Sequence, residues 1–106
     1  MTARRSGKTV VVKIGSSTLT NPRGRFRLNP VAGLVAEVCA LQAEGHRMLL
    51  VSSGAVSSGM GVLRRKSRPT EVVDMQAAAA VGQGRLFHIY TELFAHDEVV
   101  TAQVLL

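Results

Sequence analysis

Thr9-Val10-Val11-Val12-Lys13-Ile14, followed at once by Gly15-Ser16-Ser17-Thr18, is the stretch that decides the fold. Its β-branched residues run almost without interruption instead of alternating with polar ones. That is the pattern of a strand buried on both faces of a parallel sheet. Lys13 alone breaks it. A polar loop from Gly15 to Arg27 follows, and then Asn29 is placed to cap a helix with Pro30 at its first position. Val31, Leu34, Val35, Val38 and Leu41 form one apolar stripe on that helix, and Gly45 ends it. A second strand, about Arg47 to Ser52, carries Met48-Leu49-Leu50-Val51 and runs into Ser53-Gly54-Ala55-Val56-Ser57-Ser58-Gly59, which opens a short helix.

Further out, the basic loop from Arg64 to Pro69 leads to a longer helix starting near Thr70. Met75, Ala79, Leu86, Ile89 and Leu93 recur on it at helical spacing, and Phe87, Tyr90 and Phe94 form a second stripe. Two stripes predict cover on two sides, by the sheet and by another subunit or layer. Val99 to Leu106 reads as a third strand. Strands alternating with helices give an α/β class: a mainly parallel sheet with helices on both faces. No repeat, low-complexity tract or linker marks a second domain.

Ligands of such sheets gather at the carboxyl ends of the strands. Two loops stand there, Gly15-Ser16-Ser17-Thr18 and Ser53-Gly54-Ala55. Glycine lets the backbone approach an anion closely, and successive N–H groups in such loops form a cradle for phosphate or carboxylate. A lysine in a buried strand is costly unless an anion stands near it, so Lys13 reads as a functional cation. Ser6-Gly7-Lys8-Thr9 mimics the end of a P-loop, but position 2 is Thr where that motif needs Gly, and the Gly-Lys pair precedes a strand instead of following one. His88, Glu92 and His96 share a helical face at metal-ligand spacing; a solvated face is the expected reading.

Composition bounds the rest. The chain has 106 residues, 46% hydrophobic and 19% charged, and no apolar run approaches the roughly 18 residues that span a bilayer. Neither a signal peptide nor a membrane partner is expected. Cys39 is the only cysteine, which excludes an internal disulfide and a cysteine-based zinc cluster and suits a reducing cytoplasm. Net charge is +6, and ten of the thirteen Lys and Arg residues fall in three segments: Arg4, Arg5 and Lys8; Arg23, Arg25 and Arg27; Arg64, Arg65, Lys66 and Arg68. Solvated loops account for them, and aromatic residues for base stacking are few, so no nucleic-acid partner is expected. A non-catalytic basic module that binds nucleic acid remains the alternative from a different class.

Three segments carry a resemblance. Val11-Val12-Lys13-Ile14-Gly15-Ser16-Ser17, Val51-Ser52-Ser53-Gly54-Ala55-Val56 and Gln76-Ala77-Ala78-Ala79-Ala80-Val81-Gly82-Gln83 resemble, in order and spacing, three successive signatures of the glutamate 5-kinases of the amino acid kinase family. The closing Gln103-Val104-Leu105-Leu106 resembles the strand that comes next. The kinase half of pyrroline-5-carboxylate synthases is similar, and other family members acting on acetylglutamate, aspartate or a nucleoside monophosphate remain alternatives.

The resemblance implies a three-layer sandwich and transfer of the γ-phosphoryl group of ATP, with Mg2+, to the side-chain carboxylate of glutamate, a step of proline biosynthesis. It also implies a homo-oligomer and feedback inhibition by proline. Lys13 would be catalytic and, with Gly15 and Ser16, would bind ATP; Ser53, Gly54 and Ala55 would hold glutamate. The sequence departs from the pattern at Met75, where many members carry Lys. The family's later segments, including the nucleotide-binding half, lie outside these residues. The chain is therefore expected to be the amino-terminal, substrate-binding part of a single truncated domain, inactive alone.

Overall fold

A computed structural model describes residues 7–104. Arg4, Arg5, Ser6, Leu105 and Leu106, on which parts of the basic-segment, P-loop and third-strand readings fall, lie outside the described residues. The order is strand β1 (Thr9–Ile14), helix α1 (Ser16–Leu19), helix α2 (Leu28–Ala43), strand β2 (Arg47–Ser52), helix α3 (Ala55–Val62) and helix α4 (Val72–Ala95). β1 and β2 pair in parallel, Thr9 beside Arg47 through Ile14 beside Ser52. Parallel neighbours require a crossover, which α2 supplies. The α/β reading with a parallel sheet stands.

Burial in both strands alternates, which corrects the expectation of a strand buried on both faces. Val10, Val12, Ile14, Met48 and Leu50 turn inward, whereas Thr9, Val11, Lys13, Arg47, Leu49 and Val51 are exposed. Successive side chains of a strand point to opposite faces, so helices on one side cover only every second residue. The core fills that covered side: Ile14, Leu19, Val31, Val35, Val38, Leu86, Tyr90 and Phe94, with Val12, Met48 and Leu50 packed against them. On the other side Val11 is 60% exposed and Leu49 and Val51 each 53%. Among the described residues one face of the strand pair is thus covered and the other open.

α2 begins at Leu28 with Arg27 as its cap, and no side chain caps it, so Asn29 and Pro30 fall inside the first turn and not before it. Proline is tolerated there because N–H groups of a first turn have no intrahelical acceptor. Val31, Val35 and Val38 are buried, as their spacing predicts. The segment read as a loop from Gly15 to Arg27 contains α1, and Thr20 bridges Phe26 in antiparallel fashion. Asn21 Oδ1 accepts the N–H groups of Arg23 and Arg25, and Gly24 backs onto Ser57 and Gly61 of α3.

α4 buries Ala78, Gly82, Leu86, Tyr90 and Phe94, a line at four-residue steps that takes members from both predicted stripes. Ile89 and Leu93 instead border an open groove with Phe26 and Leu28. The expected third strand does not form among the described residues. The Val99 N–H donates to the carbonyl of Phe94 (3.0 Å), turning the chain back along α4, and the residues up to Val104 have no strand beside them to pair with. A strand is defined by its ladder, so an extended segment without one remains coil. No helix among the described residues is long and apolar enough to cross a membrane.

Candidate functional site

The parallel pairing brings the ends of β1 and β2 together, and with them both Gly-Ser loops. Ser53 N–H donates to the carbonyl of Ile14 (2.8 Å), continuing the ladder one step beyond β2. Gly54 lies beside the first turn of α1: a Cβ built on it would stand 3.0 Å from Leu19 Cδ1 and 3.7 Å from Ser16 Cα. Two helices therefore start side by side at the carboxyl edge of the sheet. N–H groups in a helix's first turn lack intrahelical acceptors, and those of Ala55 and Val56 come ahead of the bond from Ser58 N–H to the Gly54 carbonyl (2.8 Å).

Gly54 has φ of 97°, a left-handed conformation that side chains disfavour. Gly54→Ala combines that strain with the close approach to Leu19. We expect it to cost about 1–3 kcal/mol, read as a lower denaturation midpoint. Gly15 differs, since its built Cβ meets nothing within 4 Å. The backbone at Gly15 and Ser16 is thus open to a ligand of some size.

Lys13 is exposed on the uncovered sheet face, beside Val51. The burial argument for it is therefore corrected: solvation, and not an obligate anion, satisfies the ammonium here. It nonetheless stands one residue before the carboxyl end of β1, where the first loop begins. The structure brings Gly15, Ser16, Ser53, Gly54 and Ala55 together at one edge, with Lys13 on the adjoining face. Neither loop contains an acidic residue.

α3 and α4 set the position of the second loop. Gly59 lies against the carbonyl of Ala78, and Gly82 against the carbonyl of Ala55 and the N–H of Gly59. The Gln76 to Gln83 segment thus acts on the loop through the backbone: its small residues let α4 touch the first turns of α3. The sequence reading took this segment as a motif without giving it that role.

Three features escaped the sequence reading. Arg27 Nη1 donates to the Ser17 carbonyl (2.8 Å), holding α1 from below. The Tyr90 hydroxyl lies 3.0 Å from Ser52 Oγ at the end of β2, and Ser52 Oγ donates to the Ser53 carbonyl (3.0 Å). A phenol on an otherwise apolar stripe is the available signal, because a buried hydroxyl needs a partner. Burial pushes the Tyr90 phenol above its ordinary range, with the Ser52 hydrogen bond pulling the other way. The third feature lies at Cys39, half-buried, whose thiol is pushed up by burial, then by hydrogen bonding and the charge of Asp97. A thiol held protonated is a poor nucleophile. His88 Nε2 and Glu92 Oε1 are 3.2 Å apart on the exposed face of α4.

Comparison with known proteins adds an independent line. The amino acid kinase family matches residues 8–106. A glutamate 5-kinase of Picosynechococcus sp. is 50% identical over 100 residues, covering 93% of this chain and 27% of the relative. Those of Symbiobacterium thermophilum (46% over 99 residues) and Clostridium acetobutylicum (44% over 97 residues) are matched over 38% and 36% of their lengths. The chain thus spans between about a quarter and two fifths of the curated relatives it matches.

Proposed function

The chain belongs to the amino acid kinase family, and from that we propose that it is the amino-terminal, substrate-binding part of a glutamate 5-kinase domain. The observation that carries the reading is the pairing of the two Gly-Ser loops at one sheet edge, through Ser53 to Ile14 and Gly54 against Ser16. The activity of those relatives, glutamate 5-kinases, supplies the substrate.

Glutamate would be held at Ser53, Gly54 and Ala55, by the first-turn N–H groups of α3 and not by that of Ser53, which the sheet uses. Its side-chain carboxylate, with a reference pKa of about 4.3, is ionised near neutrality, so no general base is needed. One carboxylate oxygen forms a bond to the γ-phosphorus of ATP while the bond from that phosphorus to the β-bridging oxygen breaks. The products are glutamyl 5-phosphate and ADP. Charge on the transferring group is what must be stabilised, and Lys13 supplies a cation while the N–H groups of Gly15 and Ser16 supply dipoles. Openness around Gly15 fits a phosphate chain. Mg2+ would arrive with the nucleotide, since neither loop offers a carboxylate.

In this reading the enzyme works in the cytoplasm at the start of proline synthesis, proline is a feedback inhibitor, and the full-length enzyme is a homo-oligomer. Substrate competition tests the assignment. Glutamate is expected to be phosphorylated by the full-length protein in preference to acetylglutamate, aspartate and nucleoside monophosphates at equal concentration. Preference for any of those three overturns it.

A further inference from the structure

We propose that Tyr90 is a positioning residue for the glutamate-holding loop, acting through Ser52 on the carbonyl of Ser53. This rests on reading Ser53, Gly54 and Ala55 as the substrate loop. Tyr90 is a buried member of the core and projects from α4, while Ser52 closes β2 one residue before the loop. Ser52 has a single hydroxyl proton. The Ser53 carbonyl, 3.0 Å from Ser52 Oγ, can only accept; with the Ser52 proton placed on it, the phenol is the donor in the contact between Tyr90 and Ser52, also 3.0 Å. The chain of donation runs from the core outward: Tyr90 hydroxyl, Ser52 hydroxyl, Ser53 carbonyl.

That carbonyl belongs to the peptide joining Ser53 to Gly54. The same peptide unit is limited on one side by the bond from Ser53 N–H to Ile14 and on the other by the left-handed Gly54. Glycine adopts many conformations, so a peptide plane next to it is held only by its hydrogen bonds. Two hydroxyls in series fix its rotation, and with it the direction of the N–H groups of Gly54 and Ala55. Donors in the network polarise one another, which couples loop orientation to the seat of α4. The nucleotide loop at Gly15 and Ser16 makes no contact in this chain of donation, so the effect should fall on one substrate.

The test uses the full-length protein with Tyr90→Phe, Ser52→Ala and the double variant. Phenylalanine keeps the ring in the core and removes only the hydroxyl. Tyr90→Phe is expected to raise KM for glutamate roughly three- to tenfold, the size of one lost hydrogen bond, with KM for ATP within about twofold of the parent. The double variant should be no worse than the worse single one, because either substitution breaks the same chain. Amide exchange without substrates supplies a readout independent of turnover: the N–H groups of Ser53 and Ser58, which flank the loop, should exchange faster in Tyr90→Phe. Equal changes in both KM values, additive single effects, or unaltered exchange at Ser53 and Ser58 each overturn the proposal. Absence of glutamate-dependent turnover in the parent would count against the substrate reading instead, and the exchange comparison would still decide the linkage.

Discussion

If the full-length protein carries out the proposed transfer, Lys13→Met is expected to lower its kcat by about 10²–10³-fold while leaving the fold in place. Both halves of that result follow from where the residue sits. The uncovered sheet face already carries Val11, Leu49 and Val51 in the open, so an unbranched apolar side chain replaces the lysine without entering the core. Surface exchanges of this kind usually change stability by no more than about 0.5 kcal/mol. The chemical step has no such tolerance. Transfer between two anionic groups depends on a cation placed where charge develops, and neither Gly-Ser loop offers another. Lys13→Arg should recover only part of the rate, since a planar guanidinium places its charge differently from an ammonium. Steady-state kinetics beside thermal unfolding checks the pair; near-parental kcat in a folded Lys13→Met variant would remove Lys13 from the mechanism.

Gly82→Ala should be among the most destabilising small substitutions in the described residues. The new methyl would enter the carbonyl of Ala55 and the N–H of Gly59, both backbone, so neither can rotate away. α3 and α4 must separate, and overpacking of this kind costs about 1–3 kcal/mol. In a full-length domain of roughly 150–250 residues that corresponds to a Tm lower by about 2–12 °C. Gly84, two residues on in the same helix, has open space where its Cβ would stand. Gly84→Ala should therefore stabilise the helix by up to about 1 kcal/mol through propensity alone. Because α3 begins at Ala55, the Gly82 variant should also raise KM for glutamate. Opposite signs of the two Tm shifts, measured side by side, are the expected result; equal shifts would mean that the close contact of α3 and α4 does not hold the loop.

The parts of this fold that were legible in the sequence are those whose signals are local and strong. Met48-Leu49-Leu50-Val51 between Gly45 and the small-residue segment marked β2, and the valine spacing marked α2. α1 was not legible, because a helix of one turn has no periodicity to read. The continuous run in β1 misled about Lys13. β-branched residues suit a strand whichever face is covered, so the run identifies a strand without saying how many layers pack on it. Val99 to Val104 has the composition of a strand, yet a ladder depends on a neighbour that no local pattern supplies. At the site, Gly and Ser singled out both loops, and the fold brings the two to one sheet edge. The clip between Ser53 and Ile14 and the seat of Gly82 on Ala55 are contacts distant in sequence, and only the folded chain displays them.

The most direct test of the central claim is formation of glutamyl phosphate, trapped as the hydroxamate, with glutamate and MgATP. The full-length protein is expected to give product that requires both substrates, and residues 1–106 alone to give none. No product from folded full-length protein would contradict the assignment to glutamate. Product from residues 1–106 alone would contradict the placement of the nucleotide-binding half outside them.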